Sequence, residues 1–268
     1  MKKLPIVLFL VLFNLPAIGQ ELKFEKTALS DSATLALNIK NLAKGYLKKK
    51  QIEDLTIDPN DLYKIEILAG NYEASMNTIQ SLRGNPDNQN GHQAYIQFEL
   101  FAKAKLKQLK SGKIFNEVYK MTFRDYLMSC SDEKAYSINI FFTTYDAVAQ
   151  FTKGFEDNYN NVSEQFITAD ESINLLKSYF LYHVYSLTEP IVFSEIKLDE
   201  NKRYIIKEEV IVSARDGAEL SVITARKRDA EHMPAVLIFT IYADGSNANQ
   251  ATLAASKGYV GVVATSRG

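Results

Sequence analysis

Tyr204-Ile205-Ile206-Lys207-Glu208-Glu209-Val210-Ile211-Val212 reads as a β-strand, because β-branched residues dominate it and the apolar period has dropped from 3.6 to 2. Asp216-Gly217 follows, a dipeptide that supplies the positive φ of a tight hairpin turn, and Leu220-Ser221-Val222-Ile223-Thr224 supplies the returning strand. Pro234-Ala235-Val236-Leu237-Ile238-Phe239-Thr240-Ile241 is a continuous apolar run, the pattern of a strand buried on both faces. The polar Asp244-Gly245-Ser246 loop, with Ser246 as N-cap, leads into a short helix over 247–257, and residues 259–264 are again apolar. The order strand, strand, strand, helix, strand predicts the first strands of an α/β sheet with one edge left unpaired.

Upstream the period is helical. Leu35, Ile39, Leu42 and Tyr46 share one face, as do Ile65, Leu68, Tyr72, Met76 and Ile79, and Ile173, Leu176, Phe180, Val184 and Leu187. Asp58-Pro59 supplies an N-cap with proline at the first helical position, and Thr168 with Glu171 forms a capping box. Breaks near 83–91, 111–112, 129–132 and 158–168 give about six helices. Leu68-Ala69-Gly70-Asn71-Tyr72-Glu73-Ala74-Ser75 is similar to the turn inside a tetratricopeptide (TPR) repeat, so an antiparallel bundle and a TPR-like array both stand. Phe141, Phe142, Tyr145, Phe151, Phe155 and Tyr159 have core spacing, and Lys103, Lys107 and Lys110 fall on one solvated face. The change of period places a helical domain over 20–190 and the start of the sheet domain over 191–268, with residues 188–203 as a connecting segment crossed by few contacts.

Lys2 and Lys3, the apolar run from Leu4 to Leu15, and the small residues Ala17 and Gly19 have the order of a cleaved signal peptide over 1–19, an uncleaved anchor being the alternative. A periplasmic or secreted location follows, with no membrane contact after cleavage. The 31 Lys and Arg nearly cancel the 32 Asp and Glu, for a net charge of -1, which leaves no field to attract nucleic acid. Cys130 is the sole cysteine, and His92, His183 and His232 are scattered, so neither a disulfide framework, a metal site nor a cofactor is expected.

The Asp-Gly hairpin, the proline-led strand ending in tyrosine, the alanine-rich helix, Lys257-Gly258-Tyr259-Val260 and the closing Arg267-Gly268 together resemble the start of an α/β-hydrolase, in particular the cocaine-esterase and X-prolyl dipeptidyl peptidase group (CocE/NonD). The resemblance covers residues 204–268. It implies that Tyr242, in Thr240-Ile241-Tyr242, donates its hydroxyl to an oxyanion. Ile241 stands where that family usually has proline, and Thr265 where aspartate is common. It further implies an exported serine hydrolase acting on a small-molecule ester or on an amide or peptide bond. No Gly-x-Ser-x-Gly elbow occurs in the chain, and His232 precedes the Tyr242 strand, so no nucleophile or catalytic histidine is assigned. The chain is therefore expected to be an N-terminal portion, inactive alone. The alternative is a non-enzymatic periplasmic helical module that binds a protein partner and carries a remnant of a hydrolase.

Overall fold

The computed structural model describes residues 21–54, 56–85, 92–143, 147–163, 165–212, 217, 219–242 and 246–265, leaving aside the side chains of 92–94 and 210–212. Among these, β1 (Leu22–Lys23) is followed by helices α1 (Ser32–Glu53), α2 (Pro59–Ala69), α3 (Tyr72–Gly84), α4 (His92–Ser111), α5 (Phe115–Met128), α6 (Asp132–Thr143) and α7 (Ala147–Asn161). Next come β2 (Phe166–Ile167), antiparallel to β1, and helix α8 (Ala169–Arg203). Eight helices stand where about six were expected. α6 and α7 are separate helices where the sequence marks no break, and residues 144–146 between them lie outside the described residues.

Local chemistry sets the ends. The Asp58 carboxylate accepts from the Asn60 N–H at 2.8 Å, ahead of Pro59. Thr168 Oγ1 accepts from the Glu171 N–H at 3.2 Å while the Glu171 carboxylate accepts from the Thr168 N–H at 2.8 Å. Gly70 stops α2 at φ +91°, with Asn71 N–H reaching back to the Glu66 carbonyl, and Ser75 is wholly buried as α3 begins. Phe142, Phe155 and Tyr159 are buried and Phe141 and Phe151 half-buried, as their spacing predicts; Tyr145 lies outside the described residues. Lys103, Lys107 and Lys110 are exposed.

Residues 188–203 are not a connector. They complete the 35 residues of α8, and residue 190, where the sequence places the domain boundary, lies inside that helix. Proline there removes one backbone donor, which ordinarily kinks or ends a helix. Tertiary contacts override it: Thr188, Val192, Glu195 and Ile196 are buried beside Pro190, and Arg124 from α5 holds both oxygens of Glu195 at 2.7 and 3.0 Å. α8 packs against α1, α2, α4, α5, α6 and α7, so the helical core forms around one central rod.

The sheet strands are β3 (Tyr204–Val212), β4 (Glu219–Lys227), β5 (Ala235–Thr240) and β6 (Val260–Thr265), with α9 (Ser246–Ser256) joining the last two. β3 and β4 form the expected antiparallel hairpin; Gly217 has φ +70°, and Asp216 lies outside the described residues. β6 inserts between β4 and β5, antiparallel to the first and parallel to the second, giving the order β3-β4-β6-β5. The fold class is thus α+β, mostly helical with a small mixed sheet.

The strand at 234–241 is not buried on both faces. β5 lies at the sheet's edge, and α9 covers only one face, where Ala251 and Ala255 meet Ala225, Val263 and Ile238. Leu237 and Phe239 point away from that helix and are 66% and 62% exposed. Where α9 crosses β6, a Cβ on Gly261 would overlap the Ala251 carbonyl oxygen and lie 2.8 Å from Ala251 Cα. Only hydrogen fits there.

Arg203 joins the two parts. Its guanidinium donates to the Leu127 and Cys130 carbonyls at 2.6 and 3.2 Å, capping the end of α5, and to the Asp132 and Asp199 carboxylates at 2.7 Å each. Asp132 also pairs with Lys227 at the end of β4. Burial alone would lift the Asp132 carboxyl, but Lys227 and Arg203 together hold it below its ordinary range.

Candidate functional site

In an open α/β sheet the binding crevice lies outside the carboxyl ends of parallel strands. Here those ends are Thr240 of β5 and Thr265 of β6, which are direct partners in the ladder. Tyr242 sits just past Thr240. Its N–H donates to Thr240 Oγ1 at 3.1 Å, and its carbonyl accepts from Asn247 Nδ2 at 3.0 Å. Asn247 is buried in the first turn of α9, so the backbone at Tyr242 is clamped between strand and helix.

The Tyr242 side chain is 69% exposed, and its hydroxyl makes no hydrogen bond among the described residues. Among the described residues the ring is mostly exposed. A phenol on a fixed backbone with an uncommitted O–H can donate to charge developing on a substrate oxygen. Asn247 is the partner that sequence reasoning missed; its only signal is an amide early in a helix after a strand. Ser246 is the first residue of α9 rather than the residue before it, and Asp244, Gly245, Arg267 and Gly268 lie outside the described residues.

The histidines and the cysteine stand elsewhere. His232, at φ +57°, precedes β5 and lies at the opposite end of that strand from Tyr242, about 20 Å away by strand rise. Cys130, beyond the end of α5, donates its thiol to the Tyr126 carbonyl at 3.2 Å, and burial pushes its pKa up, which suppresses the thiolate. The side chain of His92 lies outside the described residues. No group of three or more His, Cys, Asp or Glu among the described residues is placed to hold a metal ion, and no described helix is long and apolar enough to cross a membrane.

His183 belongs to the helical core, stacked on Tyr179 at 5.3 Å between centroids and edge-on to Phe101. Burial, aided by the Lys105 charge, lowers its pKa to about 4. An unfolded histidine binds its proton near pH 6.5, so this contribution to stability is complete above that pH and is lost as pH falls towards 4. The loss should reach up to about 3 kcal/mol. Urea unfolding of the wild type and His183→Phe at pH 7 and pH 4.5 checks it: the variant should lose less stability on acidification, and equal losses would show that His183 does not titrate differently on folding.

No family model, curated protein or solved structure matches the chain.

Proposed function

We propose that the chain is the N-terminal portion of an exported serine hydrolase that cleaves ester or amide bonds, and that Tyr242 donates to the oxyanion. The observation that carries the reading is the position of the free phenol: it follows the third strand of the four-stranded sheet and precedes that sheet's helix. α/β-Hydrolases take one oxyanion donor from the corresponding strand-to-helix loop. In this mechanism a serine outside residues 1–268 gives its proton to a histidine base, also outside them, as its oxygen bonds to the substrate carbonyl carbon; the C=O π pair moves onto the carbonyl oxygen, and the Tyr242 hydroxyl donates to the charge that develops there.

The uncovered face of β5 supports the same reading, since Leu237 and Phe239 offer an apolar surface that further strands and helices of a larger α/β sheet would bury. In the finer fold proposed here, the helical part is a bundle rather than a TPR-like array. Repeats in an array touch only their neighbours, whereas α8 touches six other helices. The charged, apolar and small-residue order of 1–19 supports export.

A fluorophosphonate probe tests the reading on the protein produced from the gene's whole reading frame. One serine beyond residue 268 should be labelled, with concurrent loss of p-nitrophenyl ester hydrolysis. A protein that neither labels nor hydrolyses the ester is not a serine hydrolase.

A further inference from the structure

A second site lies in the helical part, at the turn between α4 and α5. Lys107 and Lys110 share one face near the end of α4, and Val118, Met121, Thr122 and Asp125 share one face of α5. Gly112, at φ +68° and with its N–H donated to the Gln108 carbonyl at 2.8 Å, reverses the chain between them. A groove of about 340 Å³ runs between the two faces, lined by those six residues and by Lys113.

The lining combines two chemistries. Met121 is 54% exposed, and with Val118 beneath it and the alkyl stems of the lysines beside it, it forms an apolar wall open to solvent. Three ammonium groups stand against a single lining carboxylate, the exposed Asp125. Lys107 Nζ donates to Thr122 Oγ1 at 3.3 Å, which tethers it to the α5 wall and leaves it protons to give. Lys110 reaches Glu73 at 3.8 Å, but both side chains are largely in solvent, where such a pair exchanges readily for another anion. Lys107 and Lys113 form no ion pair among the described residues.

We propose that this groove binds an amphiphilic anion, a carboxylic acid with a medium-length alkyl chain, its carboxylate among Lys107, Lys110 and Lys113 and its chain along Met121 and Val118. The volume lies at the low end of the roughly 300 to 1,000 Å³ of small-ligand pockets. Exposed ammonium groups alone hold a small anion weakly in water, so the apolar wall has to supply the rest, at up to about fourfold in affinity for each methylene buried. The proposal does not depend on the hydrolase reading.

Calorimetric titration of the full chain with octanoate, butanoate and octylammonium tests it. Octanoate should bind in the millimolar range or below, and at least about tenfold more tightly than butanoate, which lacks four methylenes, or octylammonium, whose charge is reversed. Met121→Glu places a carboxylate on the wall at an exposed position, and it should weaken octanoate by about tenfold while the melting temperature stays the same. Octanoate binding that Met121→Glu leaves unchanged, equal binding of octylammonium, or no octanoate binding at millimolar concentration would overturn the proposal. If circular dichroism shows Met121→Glu to be unfolded, methyl-labelled methionine in the wild type decides: octanoate should shift the Met121 methyl resonance and leave that of Met233, next to β5, in place, whereas an unmoved Met121 resonance would overturn the proposal.

Discussion

Arg203→Met should cost about 4 kcal/mol, the scale of breaking a buried ion pair from one side. The arginine is only 15% exposed and serves four acceptors: the carbonyls of Leu127 and Cys130 and the carboxylates of Asp132 and Asp199. Methionine replaces its bulk and leaves all four without that donor. For a chain of this length the melting temperature should fall by about 10 °C, read by calorimetry. Arg203→Lys should recover only part of the loss, because an ammonium cannot span the same fork of acceptors. A drop of less than about 1 kcal/mol in urea unfolding would mean that water replaces the guanidinium at little cost.

Tyr242→Phe in the whole protein should lower turnover by about 10² to 10³ while KM changes little, as removal of one oxyanion donor does. Stability should change little, since only a hydroxyl is lost and it makes no hydrogen bond among the described residues. Steady-state hydrolysis of a good ester, with the melting temperature measured on the same samples, separates the two effects. Wild-type turnover in the variant would remove Tyr242 from the mechanism and leave the proposed hydrolase without a site residue in this chain.

The caps at Asp58 and Thr168, the turn at Gly70 and the succession of strands and helix along 204–265, though not the insertion of β6 between β4 and β5, were legible because each rests on residues close together in sequence. Residues 188–203 were misread for the same reason. Glu189-Pro190 and the charges that follow have the local look of a connector, but Arg124, seventy-one positions before Glu195, decides the matter. Likewise the apolar run at 234–241 describes a strand that one helix covers on one side only. Asn247 was missed although Tyr242 is only five positions before it, because an amide early in a helix is no distinguishing motif. Arg203 was invisible because, apart from Asp199 in its own helix, its partners Leu127, Cys130 and Asp132 lie more than seventy positions away and a single sequence does not pair them.

The glycine at 261 has a meaning for how such a chain can change. Because helix and strand touch there through main-chain atoms, the gap between the two layers is a constant of the backbone rather than the sum of adjustable side chains. Asn247, one residue into that helix, is therefore carried at a fixed height above the strand ends, and with it the carbonyl of Tyr242. Diversification of this corner has to come from the rim, by exchange of what projects beyond Thr240 and Thr265; any enlargement of residue 261 would shift every rim group at once.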